Sequence, residues 1–370
     1  MKILVINLMH IGDLLLVTPV LRALRNNYPE AYIALLADAK LADLVRLNPC
    51  IDELIAWDKK GEQNKLGNYW RAVCELRAKR FDIAINLHQN ERASFAAAFS
   101  GAKKIVGYST WGPHFFFDRM MKNRKAIKHQ VDSHYDVLRE HLGMEECRDQ
   151  GLEMVIDSES EERADRLWRT AFQDGGARKI VGLNVGASWP TKRWRGEYYA
   201  ELADRLLELG YGVVFFGGPM DVEMVEEVQA QMKRREHPQC KTLTGKMSLM
   251  ELAALLKKCN VLVTNDSGPM HVAVAMKVRI VTMFGPSPVP GFYPYNDTSV
   301  NIKSDMHCHP CGLHQCPTDH ECMRGISVEL MLTYTLEQLE QPRTYGKGMY
   351  IEPNDKMFRK AEELISPIGH

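Results

Sequence analysis

Apolar residues in this chain fall in short unbroken runs, and each run is followed by a stretch where they recur at helical spacing. Lys2–Leu8 reads as a buried strand and Leu14–Asn26 as a helix with Pro19 in its early turns. Tyr32–Leu36 is a strand, Lys40–Leu47 a helix and Glu53–Ala56 a short strand. Leu66–Lys79 is helical, Phe81–Leu87 and Lys104–Gly107 are strands, and the helix Val131–Leu142 closes the series. A helix over Glu161–Phe172 leads to a second start at the glycine-flanked run KIVGLNVG. Helices at Gly196–Leu209, Val222–Met232, Met250–Lys258 and Pro269–Met276 then alternate with strands at Gly212–Phe216, Val261–Thr264 and Arg279–Phe284. Continuous rather than alternating apolar strands, separated by helices, predict parallel sheets covered on both faces. The pattern therefore predicts an α/β protein of two similar arrays, with a boundary near residues 155–178. The predicted extents are 1–165 and 175–335, followed by a helical tail, 336–370. In the tail, Met357, Ala361, Leu364 and Ile365 form an apolar stripe able to pack back across the domains. Ligands of open α/β sheets sit at the carboxyl ends of the strands. Two such sheets place the expected site in a cleft between domains.

Composition narrows the classes. The 370 residues carry 47 Lys+Arg against 47 Asp+Glu, so net charge is zero and any anion must be held locally. A hydrophobic share of 45% excludes disorder as the dominant state. The neutral balance argues against a nucleic-acid partner. The opening run has a single basic residue, is interrupted at His10, Gly12 and Asp13, and lacks a small-residue cleavage site, which argues against a secretory signal. No apolar run reaches the ~20 residues of a membrane span. The nine scattered cysteines do not read as a disulfide framework, and the expected location is cytoplasmic.

The candidate chemistry lies in loops that follow strands. Gly12 permits a tight turn and close approach by a ligand, and Asp13 sits where a helix begins. Asp13 is either an N-cap carboxylate or a general base. Asp266, Ser267, Gly268, Pro269, Met270 and His271 follow another strand, and backbone N–H groups at such a helix start suit a phosphate. In the same loop, Asp266 could instead accept from a sugar hydroxyl. Gly186–Trp194 offers Ser188 and Thr191 beside Lys192 and Arg193, and Lys192 is placed to neutralise a diphosphate. Gly217 and Gly218, with Asp221 behind them, end a further strand.

Two segments remain. Cys308, Cys311, Cys316 and Cys322 are interleaved with His307, His309, His314 and His320, so they read either as a structural zinc site or as a loop of reduced thiols. No carboxylate pair accompanies them, which argues against a catalytic metal. Tyr108–Lys128 combines Trp111 and Phe115–Phe117 with Arg119, Lys122, Arg124, Lys125 and Lys128. Aromatics beside cations suit an anionic glycolipid interface, or else an ordinary amphipathic surface.

In order, the segments IGDLLLVTPVLRALRNNYP, FDIAINLH, KKIVGY, GASWPTKRW, FFGGPMD, NDSGPMHVAVAM, FGPS and HCHPCGLHQCPTDHECM resemble glycosyltransferase family 9, the ADP-heptose:lipopolysaccharide heptosyltransferases. The resemblance runs from residue 1 to about 335. It implies a GT-B architecture: two Rossmann-like domains with parallel sheets facing a central cleft, and the donor bound mainly by the second. It places the family's base on Asp13 and its phosphate-side lysine on Lys192. The donor motif falls on Asp266 to His271, and the nucleoside acid falls on Asp221 or Glu223. It implies inverting transfer of a heptose, or a related sugar, from a nucleotide-diphosphate sugar to a lipopolysaccharide-core acceptor. It implies no required cofactor. The cations beside the aromatics add a separate expectation: peripheral contact with the inner membrane, with Arg119, Lys122, Arg124 and Lys125 facing the acceptor. The alternatives are a family-9 transferase using another nucleotide sugar, a nucleotide-sugar epimerase of similar fold, and a non-catalytic nucleotide-sugar-binding module. Asp13 together with Lys192 argues against the last.

Overall fold

The computed structural model describes residues 1–352 apart from Trp111, residues 122–126, 145–146, 148–149 and 174–178, and Asp305, with Glu62 described only by its backbone. The chain divides into two compact units, Met1–Val155 and Ile156–His370. In the first, strands β1 (Lys2–Asn7), β2 (Tyr32–Asp38), β3 (Glu53–Trp57), β4 (Ile83–Asn86), β5 (Lys104–Gly107) and β6 (Arg119–Met120) form one sheet in the order β3-β2-β1-β4-β5-β6. In the second, β7 (Ile180–Asn184), β8 (Gly212–Phe216), β9 (Cys240–Thr242), β10 (Val261–Asn265), β11 (Arg279–Phe284) and β12 (Val300–Lys303) are ordered β12-β11-β10-β7-β8-β9. Every pairing is parallel.

The central strands are apolar throughout because both faces are covered. Ile3, Leu4, Val5 and Ile6 of β1 are all fully buried, as are Val213 to Phe216 of β8. On one face of the first sheet, Leu4, Ile6, Ala34 and Leu36 pack with Val73, Leu76, Phe81 and Ala97. In the second, Leu183, Phe215 and Val263 pack with Tyr199, Leu206 and Met331. Burying a side chain of this size stabilises by roughly 1.5–3 kcal/mol.

Several expectations need correction. The helix expected over Leu14–Asn26 is two, Ile11–Leu15 and Thr18–Asn27. Pro19 has no N–H to give the carbonyl four residues back. That carbonyl, on Leu15, accepts from the Thr18 hydroxyl instead, at 2.7 Å. Lys40–Leu47 is likewise a 3₁₀ turn, Ala39–Leu41, and a short helix, Asp43–Arg46. The first domain does not run to residue 165. Helix Ser158–Ala171 belongs to the second unit and packs on Leu249–Leu256, with Arg163 ion-paired to Glu251 at 2.7 Å.

The border expected at residue 335 falls inside helix Val328–Glu340, and the chain to Glu352 stays with the second unit. There Ile351 bridges Ile302, and its N–H donates to Asn301 at 2.8 Å. The tail stripe Met357–Ile365 lies outside the described residues.

Candidate functional site

Both sheets are parallel, so each gathers its post-strand loops at one edge. In the second unit that edge is built on two buried asparagines. Asn184, ending β7, donates to the Gly186 carbonyl and the Thr264 hydroxyl, both at 3.1 Å. Asn265, ending β10, donates to the Val185 carbonyl at 2.7 Å and accepts from the Trp194 N–H at 2.9 Å. The two loops are thereby stitched together. Trp194 is held further by its indole N–H on the Ile326 carbonyl, at 2.8 Å.

On this frame Lys192 meets Asp266, Nζ to Oδ2, at 2.7 Å. Its ammonium also lies 4.7 Å from the Trp189 ring centre, and that ring stacks on His314. Asp266 immediately precedes Ser267, the N-cap of helix Gly268–Ala275. Ser267 does not cap that helix with its side chain, whose hydroxyl lies 3.2 Å from both Asn184 and Thr264. The structure thus brings Lys192, Asp266, Ser267 and Gly268 together as a cation, a carboxylate and a helix N-terminus. His271, one turn into the helix, is buried. Burial holds its imidazole down at about 4, opposed by Asp266 and reinforced by Lys192. It is neutral at physiological pH.

The other expected donor residues have contacts of their own. The Thr191 hydroxyl donates to the Leu313 carbonyl at 2.8 Å, so it ties two loops; Ser188 is exposed. The Met270 side chain lies in the core beside Thr282. Asp221 folds back to accept from the Gly218 N–H at 2.8 Å. A Cβ on Gly186 would lie 2.3 Å from Asp221 Oδ1, and one on Gly217 would lie 2.8 Å from Asp221 Cβ. These glycines let the loops after β7 and β8 meet around Asp221. Glu223, the other candidate, is exposed on the helix that follows.

In the first unit, Asp13 is the third residue of helix Ile11–Leu15, whose N-cap is His10, so the N-cap reading of Asp13 is corrected. Its main chain is fixed by Asn7, which accepts from the Met9 N–H at 3.0 Å and donates to the Asp13 carbonyl at 3.4 Å. Three residues that the sequence reading passed over lie at the same edge. Lys59 ion-pairs with Asp38 at 3.0 Å and bonds the carbonyls of Leu8 and Met9. His88, just beyond β4, is buried with its Nδ1 unpartnered. Burial first, then the charges of Lys59 and His10, push its ring down to about 3. The only signal was position: polar residues directly after apolar strands.

Of the expected acceptor residues, Arg119 is exposed on β6, near the exposed Phe115 and Phe116; Lys122, Arg124 and Lys125 lie outside the described residues. Among the described residues no three His, Cys, Asp or Glu side chains stand together as metal ligands. His309 is committed to the Gly285 carbonyl and His314 to Trp189. Cys322 is half-buried, and burial pushes its thiol up to about 11. Cys308 and Cys311 are exposed. Among the described residues no helix is long and apolar enough to cross a membrane.

A parallel Rossmann-like sheet whose carboxyl edge presents a lysine, a buried carboxylate and a helix N-terminus defines an α/β protein with a site suited to an anionic ligand. The comparisons with known proteins narrow this. The profile of glycosyltransferase family 9 (heptosyltransferase) matches residues 69–321. The chain is 29% identical over 303 residues to lipopolysaccharide heptosyltransferase 2 of Escherichia coli K12, covering 80% of this chain and 85% of that one. The crystal structure of a family 9 glycosyltransferase from Veillonella parvula superposes with a TM-score of 0.83 at 35% identity, covering 91% of this chain and 97% of the other. The E. coli ADP-heptose lipopolysaccharide heptosyltransferase II superposes with a TM-score of 0.74 at 26% identity, covering 92% and 99%. The chain belongs to glycosyltransferase family 9, with the two Rossmann-like units of a GT-B fold; it is a glycosyltransferase.

Proposed function

We propose that this protein transfers a heptosyl group from ADP-heptose to a lipopolysaccharide-core acceptor, with inversion at the anomeric carbon. The observation that carries the reading is the Lys192–Asp266 pair at the start of helix Gly268–Ala275. A diphosphate there would draw Lys192 and face the helix N-terminus, where negative charge is favoured. Support for the sugar and the acceptor comes from the relatives' names: the E. coli proteins are an ADP-heptose transferase and a lipopolysaccharide heptosyltransferase.

In this reading Asp13 takes the proton of the acceptor hydroxyl as that oxygen attacks the anomeric carbon. The bond from that carbon to the diphosphate oxygen breaks, and ADP departs. Lys192 and the N–H groups near Ser267 and Gly268 stabilise the charge growing on the leaving group, which is where such groups lower a barrier most. The nucleoside contact is assigned to Asp221 or Glu223. Arg119, with the neighbouring Phe115 and Phe116, faces an anionic glycolipid, so the enzyme works in the cytoplasm as a peripheral visitor to the inner membrane.

The test is transfer from a panel of nucleotide sugars to a heptose-deficient lipopolysaccharide acceptor, with the anomeric configuration of the product read by NMR. Transfer from ADP-heptose with inversion is expected. Transfer only from another nucleotide sugar would overturn the donor assignment, and retention would overturn the mechanism.

A further inference from the structure

We propose that Lys59 is a positioning residue for the base, clamping the loop that carries Asp13; this rests on the functional reading above. An ammonium has three donors and no acceptor. Two are used here, on the Leu8 carbonyl at 2.5 Å and the Met9 carbonyl at 3.0 Å, and the charge is paired with Asp38 Oδ2 at 3.0 Å. Lys59 and Asp38 are both largely buried, with side chains 14% and 9% exposed. A cation so placed needs its counter-ion, and Asp38 supplies it.

Joining β2 to β3 does not by itself require this lysine. Asp38 and Trp57 are already paired in the sheet ladder. What Lys59 adds is a reach from the end of β3 to the main chain just past β1. From Met9 the path to Asp13 is one helical turn: the His10 carbonyl accepts from the Leu14 N–H at 3.0 Å. Asn7 holds the same segment from within the strand, through Met9 and Asp13. The loop is therefore gripped twice, by an amide from its own strand and by an ammonium from just past β3, two strands away.

Lys59 is itself held. Its N–H donates to the Trp57 carbonyl at 3.0 Å, and its own carbonyl accepts from Arg92. The Arg92 carbonyl in turn accepts from the Tyr69 hydroxyl at 2.9 Å, and the Tyr69 ring packs on Trp57, centres 5.3 Å apart. The adjacent Lys60 is exposed. A base displaced by about 1 Å can cost on the order of 100-fold in rate, so a clamp one turn away matters to catalysis.

The experiment compares Lys59→Met with Asp38→Asn in the full chain. Both break the same ion pair and strand one buried partner, but only Lys59→Met frees the two carbonyls. With ADP-heptose and saturating acceptor, Lys59→Met should lower kcat by about 10- to 100-fold. It should leave ADP affinity within about twofold, a change small enough to ignore in binding free energy. Asp38→Asn, which leaves Lys59 able to bond both carbonyls, should lower kcat clearly less than Lys59→Met does, even where its Tm falls. Lys59→Gln, a shorter side chain that still donates, should fall between and serves if the methionine variant does not fold. Amide exchange of residues 8–16 gives a readout independent of transfer: faster in Lys59→Met than in Asp38→Asn. Equal kcat losses in Lys59→Met and Asp38→Asn, or unaltered exchange in Lys59→Met, would overturn the clamp. A wild-type protein that binds ADP yet transfers no heptose would overturn the functional reading instead and leave the exchange test standing.

Discussion

Replacing Lys192 with alanine tests the donor site most directly. Lys192 stands 2.7 Å from Asp266, with side chains 17% and 6% exposed. Two losses follow when a diphosphate binds without it. A hydrogen bond between charged groups goes, worth about 1.5–3 kcal/mol. Asp266 is also left facing the phosphates with no cation between. Two like charges about 6 Å apart at an effective dielectric near 20 repel by roughly 3 kcal/mol, and water entering the vacated space removes much of that. A net loss of about 2–4 kcal/mol corresponds to a roughly 30- to 1000-fold weaker ADP complex. Adenosine carries no phosphate, so its affinity should move by less than about threefold. Calorimetric titration of wild type and variant with ADP, AMP and adenosine should rank the losses in that order. Adding Asp266→Asn to Lys192→Ala should recover part of the ADP affinity by removing the stranded carboxylate. Equal losses for ADP and adenosine, or no loss for ADP, would refute the assignment of Lys192 to the diphosphate.

Asp13→Asn should lower kcat by about 10²–10⁴ while ADP titrates as in wild type, because a base acts in the transition state; unchanged kcat would remove Asp13 from the mechanism. Stability should fall in acid. His88 and His271 are held to about 3 and about 4 in the folded chain but protonate near 6.5 when unfolded, so below 6.5 the unfolded chain binds more protons. Their contribution is intact above about pH 6.5 and declines towards pH 4, by up to about 1.4 kcal/mol per unit for each ring; Tm measured from pH 7.5 to 5 should show this, and a slope untouched by both His88→Gln and His271→Gln would contradict it. Purified protein should carry substoichiometric zinc and keep its Tm in EDTA, whereas one tightly bound zinc per chain would show that the cysteine segment closes around metal.

Much of the frame was legible because strands covered on both faces need only apolar residues. Lys104–Gly107, Gly212–Phe216 and Arg279–Phe284 were read with their observed bounds. What escaped lacks periodicity. Helix Glu91–Phe99 is rich in alanine, and Val328–Glu340 is buried nearly all round, so neither shows an amphipathic stripe. β9 has three residues, and in β12 Asn301 and Lys303 break the apolar run. At the site, the loops around Lys192 and Asp266 stood out because cations, hydroxyls and a proline-started helix follow strands directly. Lys59 did not, because DKKG reads as a solvated turn; burial, which separates Lys59 from Lys60, is a tertiary property. Thr191 shows the converse: its hydroxyl, in a promising loop, donates to the Leu313 carbonyl, a partner 122 positions away that the sequence does not reveal.

One feature of the two sheets ties these observations together. The two adjacent central strands of each sheet, β1 with β4 and β7 with β10, all end in asparagine: Asn7, Asn86, Asn184 and Asn265. All four are buried. Each bonds the main chain of the loops beyond the strand ends: Asn7 to Met9 and Asp13, Asn86 to His88 and Tyr108, Asn184 to Gly186, and Asn265 to Val185 and Trp194. At the end of a parallel strand the ladder stops, and the next peptide groups need partners in a place water does not reach. A carboxamide matches them because it both donates and accepts and carries no charge. Aspartate there would bury an ion, and serine would offer a single donor. The same device therefore fixes the loop carrying Asp13 and the loops framing Lys192 and Asp266. A strand ending in asparagine is a readable sign that the following loop is held rigidly, and the loops so marked are the ones that present the candidate chemistry.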